Sequence, residues 1–167
     1  MPEVMKTKLD GVLLIKPEIF EDHRGEYVEL YNEDVYAKAG IKIKFLQDDI
    51  SVSVKNVLRG IHGDTKTWKL VSCLLGRFYL VIINCDESSD EFGKWESFSL
   101  SDKTKHQVLV PPNFGVAHLA LTDKIIFHYK QSTYYDPSSQ FTYKWNDPIF
   151  NICWPIKDPI LSKRDEL

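Results

Sequence analysis

The chain reads as a succession of short apolar runs, many alternating in polarity, broken by turns about every 6–12 residues. Asp10 to Lys16 predicts a strand entered from a Gly turn and ended by Pro17. Asp22 to Gly25 has turn chemistry, and Glu26 to Tyr31 alternates as a half-buried strand does. Asn32 suits an N-cap, so Glu33 to Ala39 predicts a short helix stopped by Gly40. Ile43 to Ser53 predicts one or two strands with Gln47, Asp48 and Asp49 at their centre. After a Lys55–Asn56 turn, Val57 to His62 predicts another. Lys69 to Leu75 and Phe78 to Cys85 are apolar runs joined at Gly76–Arg77, the pattern of a hairpin. Lys94–Leu100, Gln107–Val110, Val116–Leu121 and Lys124–Gln131 are further strands, with a rigid bend at Pro111, Pro112 and Asn113. From Tyr134 onward aromatics and prolines suit loops and short turns over one end of a barrel.

About ten or more short strands with little helix predict an all-β sandwich or barrel, the jelly-roll class included. The 167 residues suffice for a sizeable core, and no repeat or linker divides them, so one domain is expected over 1–167. A net charge of −3 makes no case for nucleic acid. Met1 to Asp10 is mixed and polar without a signal-peptide core, and no apolar run is long enough to span a membrane. A cytoplasmic protein is the expectation. Cys73 and Cys85 lie inside apolar runs and Cys153 stands apart, so free thiols are expected rather than disulfides or zinc ligands.

The densest chemistry is Arg59-Gly60-Ile61-His62-Gly63-Asp64, followed by Trp68-Lys69-Leu70-Val71. Histidine moves protons near neutral pH, and a flanking cation can hold an anion or an enolate oxygen. Seen alone, His62 is equally readable as a buried core histidine. A metal site in a small β-barrel usually draws on two neighbouring His, a carboxylate and a third His. This strand carries one His, and His106, His118 and His128 are scattered, so no metal site is expected. No Gly-x-Ser-x-Gly and no Gly-rich phosphate loop is present. General acid–base chemistry remains. Tyr129 shares a strand face with Ile125 and Phe127, as a structural phenol or as an acid.

Taken together the motifs resemble the dTDP-4-dehydrorhamnose 3,5-epimerase family of cupin-fold nucleotide-sugar epimerases. The resemblance runs through Phe20, Arg24-Gly25, Glu29, Gln47-Asp48, Asn56 to His62, Lys69 to Val71 and Phe92 to Trp95. It continues through Pro111-Pro112, Tyr129-Lys130, Tyr134-Tyr135, Trp145 to Asp147, Trp154-Pro155 and Leu161-Ser162 to Asp165. It implies a cupin-type jelly-roll barrel with a few short helices and no metal or organic cofactor. It also implies a homodimer with exchanged N-terminal strands. His62 would remove a proton next to a C4 ketone, Asp165 would orient His62, Lys69 would stabilise the enolate, and Tyr129 would reprotonate from the opposite face. Arg59, Arg24, Glu29 and Gln47 would hold the nucleotide diphosphate, with Phe20 packing on the base and Tyr135 contacting substrate. Strict alternation puts Arg59 and His62 on opposite strand faces, which a bulge at Gly60 would reconcile.

The chain also departs from the family. Gly63-Asp64 stands where an aromatic or polar pair is usual, and the loop to Lys69 is short. A second family histidine aligns with Val116, while His118, two residues on, keeps the same strand face as a candidate substrate contact. The Arg-Gly-Ile-His-Gly-Asp form with Pro-Pro-Asn resembles a subgroup acting on GDP-linked 4-keto-6-deoxy-heptoses for capsular polysaccharide. The expected activity is therefore inversion at C3, with C5 as a second candidate centre. The alternatives are a dTDP-4-keto-6-deoxyglucose 3,5-epimerase, a metal-dependent cupin isomerase or dioxygenase, and a non-catalytic sugar-binding domain.

Overall fold

Alternating side chains sort between two facing sheets and the outside. The computed structural model describes residues 1–166, and Leu167 lies outside the described residues. In chain order the elements are β1 (Glu3–Lys6), β2 (Leu13–Lys16), β3 (Ile19–Asp22), β4 (Gly25–Val28), helix α1 (Glu33–Lys38), β5 (Gln47–Val54), β6 (Leu58–Asp64) and β7 (Lys69–Leu75). There follow β8 (Arg77–Asn84), β9 (Trp95–Ser101), β10 (Gln107–Val110), β11 (Phe114–Ala120), β12 (Lys124–Gln131), a 3-10 turn (Pro137–Ser139) and β13 (Gln140–Thr142). One sheet has the order β1-β2-β10-β7-β12-β5, the facing one β13-β6-β11-β8-β9, and β3-β4 form a separate hairpin. All named pairings are antiparallel. The fold is the expected all-β jelly-roll barrel of cupin type. Val71, Phe78, Leu80, Ile82, Ile125 and Phe127 fill the space between the sheets.

Several local expectations hold for local reasons. Asn32 caps α1, its side chain accepting from the Val35 amide at 3.2 Å, and Gly40 ends it at a φ of +97°. Lys124 to Gln131 is one strand from end to end.

Others are overturned. The runs joined at Gly76 do not form a hairpin: β7 pairs with β10 and β12, whereas β8 pairs with β9 and β11 in the opposite sheet. Both runs are mostly buried, and each is a central strand of its own sheet, β7 between β10 and β12 and β8 between β9 and β11. Gly76, at a φ of +76°, makes the crossing between sheets where an added Cβ would fall 2.3 Å from the Lys124 carbonyl oxygen. Residues 3–6, within the mixed and polar stretch Met1 to Asp10 where the pattern marks no strand, form edge strand β1 against β2. An edge strand open to solvent carries little apolar alternation. Ile43 to Leu46 lies outside any strand, and the tail adds β13 to the edge of β6.

The bulge in β6 positions the chemistry. His62 pairs with Val116 and Arg59 with His118, so Gly60 and Ile61 together oppose Ala117. The extra residue resets the alternation and turns both Arg59 and His62 toward the space between the sheets. Gly60 has a φ of +117°, and a Cβ there would meet the Val116 carbonyl oxygen at 2.5 Å.

Candidate active site

Between the sheets lies a cavity of about 370 Å³. The five-stranded sheet contributes Arg59, His62, Val116, His118 and Gln140, and the six-stranded sheet Ser51, Lys69, Val71, Phe127, Tyr129 and Gln131. Ser162, Arg164 and Asp165 of the tail, with Tyr135, complete the lining.

The tail reaches the cavity because it is strapped to β6. Leu58 N–H donates to the Ile160 carbonyl at 3.0 Å, and Ile160 N–H to the Asn56 carbonyl at 2.9 Å. Asp165 is thereby 4% exposed rather than a frayed end. Its Oδ1 lies 2.6 Å from His62 Nε2, and its Oδ2 accepts from the Gly60 amide at 3.4 Å. A carboxylate accepts and does not donate, so the neutral imidazole carries its hydrogen on Nε2 and its lone pair on Nδ1. Burial holds His62 below the ordinary imidazole range; Asp165 opposes this, while Arg164 and Lys69 add to it.

Across the cavity, Lys69 Nζ stands 5.7 Å from the centre of the Tyr129 ring. Burial lowers the Lys69 ammonium, with the Asp64 carboxylate partly opposing. Burial, with the Asp49 carboxylate alongside, pushes the Tyr129 phenol up to about 12, so it is a proton donor at neutral pH. His118 is stacked on Phe127 with ring centres 3.9 Å apart, and its buried Nε2 has no partner. Burial, then the Arg59 and His62 charges, push its pKa down to about 3, so it is neutral.

The other expected contacts divide into two groups. Arg59 lines the cavity mouth, its Nε donating to Ser53 Oγ at 3.0 Å and bridging β6 to β5. Gln47 accepts from the Tyr135 amide at 3.0 Å and so tethers a lining residue. Phe20, Arg24 and Glu29 are elsewhere. Phe20 and Arg24 are exposed on the β3–β4 hairpin, Arg24 paired with Asp22 at 2.6 Å, and Glu29 lies just beyond the hairpin, beside Phe20 and α1. Among the described residues, no three His, Cys, Asp or Glu side chains come together as metal donors. No helix among them is long and apolar enough to cross a membrane.

The family model for dTDP-4-dehydrorhamnose 3,5-epimerase matches residues 6–167. The chain belongs to the dTDP-4-dehydrorhamnose 3,5-epimerase family. It is a carbohydrate epimerase, an isomerase. It is 36% identical to the dTDP-4-dehydrorhamnose 3,5-epimerase of Methanothermobacter thermautotrophicus over 166 residues, covering 96% of this chain and 90% of that protein. A dTDP-4-dehydrorhamnose 3-epimerase of Streptomyces niveus is 33% identical over 95% of this chain and 78% of its own length. The crystal structure of a dTDP-6-deoxy-D-glucose-3,5-epimerase from Legionella pneumophila, in complex with dTDP-4-keto-L-rhamnose, superposes with a TM-score of 0.93. That pair is 34% identical, covering 99% of this chain and 90% of that one.

Several lining residues of this epimerase were not singled out from sequence. Gln131 was legible, since alternation places it on the face of Ile125, Phe127 and Tyr129. Arg164 adjoins Asp165, but no period marks a cation in an irregular tail. Gln140 had no local signal, because β13 exists only through its pairing with β6.

Proposed function

We propose that this epimerase inverts C3 of a nucleotide-diphospho-4-keto-6-deoxy sugar without a cofactor. The observation that carries the reading is the two-sided cavity. The His62–Asp165 pair enters from β6 and the tail strapped to it, and Tyr129 with Lys69 from the opposite sheet. His62 Nδ1 takes the proton from the carbon beside the C4 ketone. The electron pair moves onto the ketone oxygen, where the Lys69 ammonium meets the developing charge. The Tyr129 hydroxyl then returns a proton to the opposite face of the same carbon, and exchange with solvent resets His62 and Tyr129. Neutral His62 and protonated Tyr129 are the states this sequence requires. Val116 stands opposite His62, at the position where the family's second histidine aligns, which favours C3, with C5 as the second centre.

The names of the relatives support a dTDP-linked sugar. A GDP-linked heptose for capsular polysaccharide is the second reading, favoured by the run Arg59-Gly60-Ile61-His62-Gly63-Asp64 together with Pro111-Pro112-Asn113. Arg59 and Arg164 line the cavity as the positive charge for a diphosphate. Phe20, Arg24 and Glu29 lie apart from this chain's own cavity, which supports a homodimer with exchanged N-terminal strands that brings them to a partner's nucleotide. Strand β5 is a sheet edge with Ile50, Val52 and Val54 exposed, a surface that a second copy would cover.

Incubation of dTDP- and GDP-linked 4-keto-6-deoxy sugars in D2O tests the reading. Deuterium at C3 supports it, label at C5 adds the second centre, and the faster substrate identifies the nucleotide. No label with either, or label undiminished in His62→Asn, rejects it. Stoichiometric iron, zinc or manganese in active protein would point instead to the metal-dependent class.

A further inference from the structure

One edge of the cavity is ordered by a carboxylate lying behind it. Asp64 is 3% exposed, at the end of β6 and two residues past His62. It accepts from the amides of Lys66 at 2.7 Å and Thr67 at 3.0 Å, from Ser139 Oγ at 2.9 Å, and from Gln140 Nε2 at 2.5 Å. The Gln140 amide nitrogen also lies 3.5 Å from the Asp136 carbonyl oxygen. Because a carboxylate only accepts, the nitrogen end of Gln140 must face Asp64. One hydrogen is thus committed to Asp64 while the Asp136 carbonyl lies at the outer limit of a second bond, and Oε1 has no partner among the described residues. Gln140 lines the cavity, so the end left to meet a ligand is an acceptor that cannot rotate into a donor.

The placement is enforced from the neighbouring position. Phe141 sits against Gly63, where a Cβ would fall 2.0 Å from the ring. That close approach fixes β13 in register, Gln140 opposite Asp64 and Thr142 opposite His62. Gln131, across from Lys69, repeats the device: its Nε2 donates to Asp49 Oδ2 at 2.7 Å, and its side-chain Oε1 meets no donor among the described residues.

We propose that Gln140 is a specificity-determining residue and Asp64 its positioning residue: Gln140 Oε1 accepts a hydrogen bond from a sugar hydroxyl beside the His62 ring. The cavity thereby selects sugars with a donor there over deoxy sugars. This rests on the nucleotide-sugar reading above and names the group by which that site sorts its substrates. Once a bound sugar shields Oε1 from water, an acceptor left unpaired is costly, which makes the missing hydroxyl expensive rather than neutral.

The test uses Gln140→Met, which keeps length and removes the acceptor. Rates of deuterium incorporation, as kcat/KM, are compared for the hydroxylated 4-keto-6-deoxy nucleotide sugar and its 2-deoxy and 3-deoxy counterparts. The expected result is a loss of roughly 10–100-fold on the hydroxylated substrate. On the counterpart lacking the recognised hydroxyl, the change should stay within about twofold. Asp64→Asn, which frees the amide to turn over, should narrow the same preference without removing it. Equal losses on all three substrates, or no loss on any, overturn the proposal. Calorimetric binding of the unreactive 4-hydroxy nucleotide sugars to the full chain reads the same preference without turnover. Absence of deuterium incorporation by the parent would therefore strike the epimerase reading alone. Parent protein binding hydroxylated and deoxy sugars equally would strike this one.

Discussion

Asp165 Oδ1 lies 2.6 Å from His62 Nε2 although 103 residues separate the two in the chain. The carboxylate fixes the tautomer that leaves Nδ1 basic, and it raises the proton affinity that burial lowers. Asp165→Asn keeps the shape and removes the charge. We expect kcat to fall by roughly 10²–10⁴-fold with KM little changed, the range seen when a histidine base loses its orienting carboxylate. The acid limb of the pH–rate profile should also move to lower pH, because the group that raised His62 is gone. Deuterium incorporation across pH checks both, and an acid limb that moved upward would refute the pairing.

The parent enzyme should itself show a bell with a displaced acid side. Its acid limb should lie below the ordinary imidazole value near 6.5, since burial holds His62 low. Its alkaline limb should come from Lys69, lowered by burial from 10.5, before the Tyr129 phenol at about 12 can ionise. Lys69→Arg, which keeps its charge at high pH, should lower the plateau and move the alkaline limb upward. If that limb stays in place in Lys69→Arg, Lys69 is not the group that sets it.

Local patterns settled what depends on local physics. Asn32 capping α1 and the run from Lys124 to Gln131 follow from residue type and period. The conflict between Arg59 and His62 pointed to the bulge at Gly60, because two side chains three apart cannot share a face of a regular strand. Partner choice was less legible. Two apolar runs joined at a glycine look alike whether they pair or cross between sheets, and β7 and β8 cross. Of the site, the residues carried by motifs were visible, whereas Gln140 depends on Phe141 seating against Gly63, a tertiary contact. Phe20, Arg24 and Glu29 were named by resemblance, and only the structure shows them remote from this chain's cavity.

Gly63→Ala should destabilise the fold and blunt the site together. The added Cβ would overlap the Phe141 ring, with nothing flexible between them. Forcing β13 away costs about 1–3 kcal/mol as overpacking does, and carries Gln140 out of register with Asp64. Urea unfolding should show the loss, and Phe141→Ala should recover much of it in the double variant. Additive losses in the double variant would mean that the two positions do not couple.

His118 should make the protein acid-sensitive. Its ring is stacked on Phe127 and flanked by Phe78, with Arg59 and His62 as the charged or titratable groups acting on it. Folded, it stays neutral down to about 3; unfolded, it takes up a proton near 6.5. Between those values the unfolded chain binds the extra proton. This contribution is therefore complete above about pH 6.5 and is lost as pH falls toward 3, at up to about 1.4 kcal/mol per unit. His118→Phe keeps an aromatic ring against Phe127 and removes both the titration and the unpartnered Nε2. At pH 7 its stability should match or slightly exceed the parent's, since deleting a buried unsatisfied atom removes a cost. At pH 4.5 the parent should have lost markedly more stability than the variant. Urea unfolding of both at the two pH values decides the matter: parallel losses would place the acid sensitivity in other groups.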